Sequence, residues 1–529
     1  MVHGSFESQI VKWRYLIFCI AAAFIAFSTS VSHLITDSYL LFHEGEYVGL
    51  LWHMRSFQNG AVEFPLLIHG AMDYLPAMLA SLVYGDEHII VGTRLVNTFI
   101  TWGCWVMFLD LCYIFTSRAS QRALWIGIAI LVLFLVTPKL GSQAIAVQQS
   151  FLGVRDLFLV AAVWSIAQQS RSTKAFRSHA FLALAGVSTV IALFWSYDRG
   201  IISVAFLGTV FLGLVLDRKY AGLLTMGLAV GFSTLLLDQA GPLGSLSENM
   251  RNIAYWIGNG KEISGTNIFA DWVTLITIML LLVFCVVAAT GIFARKFDRN
   301  QKDLFLILGV LVVQVLLLKT VMTRPAMPRL SWAIWPSILM MIHCASRMNL
   351  TQFRLTSDAA NSPSGYGPYA YKGFAVVFLL MTFFMSPLLL SYGSFVKNVF
   401  MPKFDQEMVP AEINMLSRAL RGHGDQCVFG WTNEGVVALL LKQRFCTRFP
   451  YAVYVARGEE AAYLGQLQAD PPDAIVVSVS GVTMLDIGSG PMKSRLPGVN
   501  AFIQDNYPER MQVGRYTVAS KARPVALPP

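Results

Sequence analysis

Two glutamates one residue apart, Glu44 and Glu46, stand in the pentapeptide His43-Glu44-Gly45-Glu46-Tyr47, just after the first long apolar stretch of the chain. Apolar residues flank them on both sides, from Val48-Gly49-Leu50-Leu51-Trp52 to Phe64-Pro65-Leu66-Leu67-Ile68. Carboxylates held against apolar surface at a membrane face serve chemistry or ion binding more often than bulk solvation. One of them could act as general base toward an acceptor hydroxyl, or hold a divalent cation such as Mg or Mn against a phosphate. The surrounding stretch, 35–90, adds Asp37, His53, Arg55, Glu63, His69, Asp73 and His88. His43, His69 and Asp73 are candidates for gripping an acceptor or a sugar; for any single acid here, plain solvation is the competing reading.

A second set of candidates is cationic. Arg94 opens the second apolar span, Arg155-Asp156 the fourth, and Asp198-Arg199-Gly200 falls on a short turn. Lys319, Arg324 and Arg329 gather around Pro325 and Pro328. A guanidinium is a planar, permanently charged fork that suits a phosphate. Arg155, Arg199, Lys319, Arg324 and Arg329 are therefore the expected phosphate-binding set, against snorkelling or a local pair such as Arg199 with Asp198. The loop expected at 239–270 holds Asn249, Arg251, Asn252, Tyr255, Trp256, Asn259 and Lys261. Tyr255 and Trp256 suit a sugar's C–H faces, and equally an interfacial aromatic belt. The chain carries no Walker A loop, Rossmann glycine fingerprint, HExxH or Gly-x-Ser-x-Gly, so an ATP-driven or hydrolase reading has no motif.

What must position these groups is a membrane body. Hydrophobic residues make up 55% of the 529 and charged residues only 13%, more apolar surface than a soluble fold can hide. Spanning-length runs lie near 13–34, 91–115, 123–138, 154–168, 180–195, 201–216, 220–237, 271–293, 303–319, 330–345 and 373–392, about eleven helices. Lys12 and Arg14, Arg118 and Arg122, Arg171 to Arg177, Arg218 and Lys219, Arg295 to Lys302, and Arg347 and Arg354 mark every second connection, while most acids sit in the alternate ones. The positive-inside rule then puts the N-terminus in the cytoplasm and the C-terminus outside. The net charge of +9 is a topology signal and not one for nucleic acid. Residues 1–392 read as a transmembrane domain with a long first outer loop at 35–90, and 393–529 as a soluble extracytoplasmic α/β domain. Five cysteines fall in apolar spans; Cys427 and Cys446 do not, and are expected to form a disulfide in an oxidising compartment.

With these residues in view, the layout resembles the GT-C superfamily of integral-membrane glycosyltransferases, such as bacterial aminoarabinose transferases and protein O-mannosyltransferases. His43-Glu44-Gly45-Glu46-Tyr47 followed by Gly60-Ala61-Val62-Glu63-Phe64-Pro65 is similar to that family's Asp-Glu-x-x-Tyr…Gly-x-x-x-Pro pattern. Arg324-Pro325…Arg329, Ala469-Asp470-Pro471-Pro472-Asp473 and Tyr507…Tyr516 also resemble family segments. His43 stands where the family has its first aspartate, which shifts the expected base to Glu44, with Glu46 close behind. The resemblance implies an inverting transfer of a hexose or pentose from a polyprenyl-phosphate donor to a glycan, lipid or protein acceptor outside the bacterial inner membrane. Arginines would stabilise the departing lipid phosphate. The rival expectations are a lipid-linked glycan flippase or transporter, and a polysaccharide polymerase or ligase. Against the transporter, the spans hold almost no ionisable residues mid-helix.

Overall fold

The computed structural model describes residues 3–27, 38–116, 122, 125–130, 152–239, 244–264, 272–294, 304–322, 330, 333–347, 393, 395–421, 427–431, 435–478 and 492–521. The chain forms two compact units that do not follow its order. Residues 1–30, 97–234 and 268–396 make the first, and residues 31–96, 235–267 and 397–529 the second. The boundary expected at 392/393 lies beside the division at 396/397, and the stretches 31–96 and 235–267 group with the C-terminal part.

Long apolar helices build the first unit. Among the described residues, Ile89–Phe115, Ala175–Trp195, Tyr197–Leu216, Tyr220–Gln239 and Leu304–Met322 are long and apolar enough to cross a membrane. His3–Ala26, Leu157–Arg171, Trp272–Ala294 and Trp335–Arg347 fall on four further expected spans. The chain is a multi-pass membrane protein. The expected span at 373–392, and most of the one at 123–138, lie outside the described residues. Lipid does not drive apolar helices together, so close packing must. Glycine supplies it: Phe305 lies over Gly213 and Phe206 over Gly309, each ring so close that a Cβ could not be added without displacing it. Polar side chains add cross-links. Gln314 donates to the Ala333 carbonyl at 2.8 Å and accepts from Ser337 Oγ at 2.7 Å. Asp110, near the end of the Ile89–Phe115 helix, is buried and accepts from Trp164 Nε1 at 2.8 Å and from Gln168, with Arg14 3.4 Å away. This is an ionisable group inside a span, yet it is closed within a local network.

In the second unit the expected α/β character holds. A four-stranded sheet runs in the order β2-β4-β6-β5, from β2 (Gly430–Trp431), β4 (Ala474–Ser478), β5 (Glu509–Val513) and β6 (Tyr516–Ser520). β2 and β4 are parallel; the β4–β6 and β6–β5 pairs are antiparallel. β4 begins Ala-Ile-Val, all buried, as a central strand requires, whereas β5 shows Glu509, Arg510 and Gln512 to solvent, as suits an edge. A separate parallel pair joins β1 (Cys427–Val428) to β3 (Arg444–Phe445), and the Cys427–Cys446 disulfide closes beside it with Cα atoms 4.9 Å apart. The expected disulfide is present.

Both long connecting stretches contain helices, as the helix-like amphipathic patterning of 35–90 implies for the first. Residues 35–90 contain the helices Ser38–Val48, Leu51–Gln58 and Leu75–Tyr84. The second stops where Gly60, at φ 71°, takes the left-handed conformation that ends a helix cheaply. Residues 239–270 contain the helix Leu246–Ser264, started by a reciprocal cap: Glu248 accepts from the Ser245 N–H at 2.7 Å and Ser245 Oγ from the Glu248 N–H at 3.2 Å. Ser-x-x-Glu ahead of an amphipathic run was the sequence signal for it.

Candidate functional site

The Ser38–Val48 helix carries the acidic pentapeptide, and the second unit buries it. Glu44 is 3% exposed and Glu46 0%. Spacing by two residues puts them on different sides of the helix, and they meet different partners. Glu44 receives both teeth of one fork: Arg94 Nε lies 2.6 Å from Oε1 and a terminal nitrogen 2.7 Å from Oε2. Arg94 comes from the first turns of the Ile89–Phe115 helix and is itself fully buried. Such a bidentate pair fixes an ionised carboxylate in place.

The described partners of Glu46 are of another kind. Its Oε2 is 3.0 Å from His43 Nδ1, one helical turn earlier. Its Oε1 accepts from the Tyr454 hydroxyl, which arrives from 408 residues further along the chain. The backbone beneath is pinned by the same C-terminal segment, since Tyr451 donates to the Gly45 carbonyl at 2.9 Å. That approach needs glycine. A Cβ on Gly45 would meet the Gly435 nitrogen at 2.8 Å, and one on Gly49 the Gly435 carbonyl oxygen at 2.6 Å. Gly45 and Gly49 are thus the small face on which the Gly435–Leu441 helix rests.

His69 and Asp73 form a neighbouring dyad. Asp73 Oδ1 is 2.7 Å from His69 Nδ1, and Oδ2 accepts from the Ile68 and His69 N–H groups at 2.8 Å each. The aspartate thereby holds both the turn and the imidazole, whose ring stacks on Tyr47 with centroids 5.7 Å apart. Tyr255 and Trp256 have structural work. The Tyr255 hydroxyl donates to the Tyr454 carbonyl at 2.6 Å and accepts from the Ala456 N–H at 2.9 Å. Trp256 Nε1 donates to the Leu67 carbonyl at 2.8 Å, and Asn252 to that of Pro65 at 3.0 Å. His53 is buried against Glu63 and the Phe445 ring, and burial lowers its imidazole to about 4.

Of the other cationic candidates, Arg155, Arg199 and Lys319 lie in the first unit. Arg199 is 1% exposed and engaged by two acids, Asp156 at 2.6 Å and Asp198 at 2.9 Å. Arg155 reaches the same Asp198 oxygen, Oδ2, at 2.7 Å. Two arginines and two aspartates neutralise one another here. Lys319 is exposed in the last turn of the Leu304–Met322 helix. Arg324 and Arg329 lie outside the described residues, as does Asp37. Among the described residues, no group of three or more His, Cys, Asp or Glu side chains could hold a metal ion. Arg94 engages both Glu44 oxygens, and among the described residues Glu44 and Glu46 gather no third ligand for the divalent cation that was one option there.

Sequence reasoning named Arg94 only as a cation opening a helix, and passed over Tyr451, Tyr454 and Gly435. Phe449-Pro450-Tyr451-Ala452-Val453-Tyr454 offers two tyrosines at the spacing of one helical turn, a pattern that ordinary core packing also produces. Tyrosine hydroxyls seek partners when buried, which was the available hint.

No protein-family model matches the chain, and no curated protein matches it in sequence. Among solved structures it is similar to ArnT from Cupriavidus metallidurans bound to undecaprenyl phosphate, at 12% identity over 98% of this chain and 100% of that one, with a TM-score of 0.43. It is also similar to the Archaeoglobus fulgidus oligosaccharyltransferase in complex with Zn and sulfate, at 11% identity over 88% of this chain and 68% of that one, with a TM-score of 0.44.

Proposed function

We propose that this protein is a membrane glycosyltransferase that moves a sugar from a polyprenyl-phosphate donor to an acceptor hydroxyl outside the bacterial inner membrane, with inversion at the anomeric carbon. The observation that carries the reading is the buried Glu44–Glu46 pair in a segment resembling the GT-C acidic motif, with one acid clamped by Arg94 and the other held by His43 and a tyrosine. A carboxylate neutralised by a bidentate arginine is a weak proton acceptor, whereas one held by hydroxyl and imidazole donors can exchange them for a substrate hydroxyl. The base role therefore passes from Glu44, the sequence preference, to Glu46. Glu46 takes the acceptor O–H proton as the new C–O bond forms and the anomeric C–O bond to phosphate breaks; the electron pair leaves with the lipid phosphate. Cations lower the cost of that departing charge. Lys319, Arg324 and Arg329 are the proposed phosphate contacts, while Arg155 and Arg199 serve the fold. His43, His69 and Asp73 are proposed to line the acceptor and sugar side. The N-terminus is proposed to face the cytoplasm.

The test separates an enzyme from a flippase. Purified protein in lipid nanodiscs is given a panel of undecaprenyl-phosphate-linked hexoses and pentoses, radiolabelled in the sugar, with an inner-membrane and periplasmic extract as acceptor source. A transferase releases free undecaprenyl phosphate and places label on an acceptor. If every donor stays intact while labelled lipid exchanges across proteoliposome leaflets, the transferase reading is wrong and a flippase stands in its place.

A further inference from the structure

The C-terminal part of the chain contributes a group to the acidic site itself. Tyr454 closes the 3-10 turn Ala452–Tyr454 and has little freedom. Its carbonyl is tied by the Tyr255 hydroxyl at 2.6 Å. Its ring packs edge-on against Trp256 at 5.6 Å and Tyr451 at 6.3 Å. Arg495 holds the preceding Val453 carbonyl at 2.6 Å. The turn is docked on the acidic helix by the Tyr451 bond to Gly45 and by the glycine contact at Gly435. All these residues belong to the second unit. A hydroxyl fixed in this way donates to Glu46 from one direction while His43 meets it from another.

We propose that Tyr454 is the positioning residue of Glu46, so that segment 435–456 completes the acidic site instead of merely capping it. This rests on the proposed transferase reading for its consequence, though not for its test. A hydrogen bond to the ionised form of a carboxylate favours that form. Tyr454 therefore fixes the Glu46 carboxylate and aims the lone pair that takes the proton. The other groups around Glu46 are His43 and Glu44 on its own helix, Tyr451 from the 451–454 turn, Asp73 with His69, and Arg94 through Glu44. Among these, Tyr454 and His43 hydrogen-bond to the Glu46 oxygens.

Infrared titration of the protonated-carboxyl band of the full-length protein, assigned to Glu46 by its loss in Glu46→Gln, reads the effect without substrate. Tyr454→Phe is expected to raise the midpoint by about one pH unit. Tyr451→Phe, which loses a bond to a backbone carbonyl, is expected to leave it in place. Should Tyr454→Phe not fold, 3,5-difluorotyrosine at 454, a more acidic and stronger donor, is expected to lower the midpoint instead. An unmoved midpoint in folded protein overturns the proposal, as does an equal shift in Tyr451→Phe. In transfer assays the acid limb of the rate profile should move with the midpoint. Wild-type transfer rates in Glu46→Gln would sink the base assignment, and leave the infrared result to decide the role of Tyr454.

Discussion

The two polar clusters of this protein are built from similar side chains to different ends. In the first unit, Arg155, Asp156, Asp198 and Arg199 form a set of two cations and two anions, each charge answered by its opposite. In the second, Arg94 forks onto Glu44, while the partners of Glu46 among the described residues include a tyrosine and a histidine. A self-neutralised set gains little from a change of protonation and resists an incoming ligand. A carboxylate held by groups that can exchange partners is suited to take up a proton and release it. Burial alone does not distinguish the two clusters; the identity of the donors does.

The largest effect should come from Glu46→Gln, which keeps the shape and removes the base. Transfer is expected to fall roughly 100- to 10,000-fold, with unchanged thermal unfolding, in a radiolabelled transfer assay. Arg94→Met and Arg199→Met each strand a buried carboxylate and should cost about 3–5 kcal/mol in unfolding experiments in detergent. The partner substitutions Glu44→Gln and Asp156→Asn should restore most of that loss. If Arg199→Met instead left stability intact and abolished undecaprenyl-phosphate binding, the two clusters would be alike in kind and the contrast would fail. Replacing both Cys427 and Cys446 by serine should cost about 3 kcal/mol, measured as lost stability of the C-terminal part by limited proteolysis.

The smallest effect concerns pH. His53 is buried and neutral, its imidazole lowered to about 4 by burial. The unfolded chain protonates this side chain near its ordinary value of about 6.5, before the folded chain does, so stability should fall as pH drops from about 6.5 to 4. The loss is on the order of 3 kcal/mol at most. Thermal unfolding of His53→Gln should show a flatter profile across that window.

How far the sequence led depended on the range of the interactions. Apolar runs, the charge alternation between connections and the cysteine pair are local or compositional, and the helices and the disulfide follow from them. The acidic pentapeptide was visible for the same reason: two charges within an apolar neighbourhood need an explanation wherever they fold. Arg94 was visible as a cation at a helix start, but its claim on Glu44 depends on how two helices meet across 50 residues. The claim of Tyr454 on Glu46 was not visible, because no periodicity links it to a glutamate 408 residues earlier. Tyr255 and Trp256 show the converse. Their types suit a sugar, yet backbone carbonyls at 67 and 454 take their donors, and those carbonyls are exposed to them only by the fold.

The central claim is that Glu46, and not Glu44, removes the acceptor proton. Single-turnover transfer from one undecaprenyl-phosphate sugar should be followed in Glu44→Gln and Glu46→Gln side by side, with donor binding measured on the same samples. The account predicts normal donor binding with no chemical step in Glu46→Gln, and a measurable chemical step in Glu44→Gln. A chemical step that survives in Glu46→Gln and vanishes in a folded Glu44→Gln would contradict it.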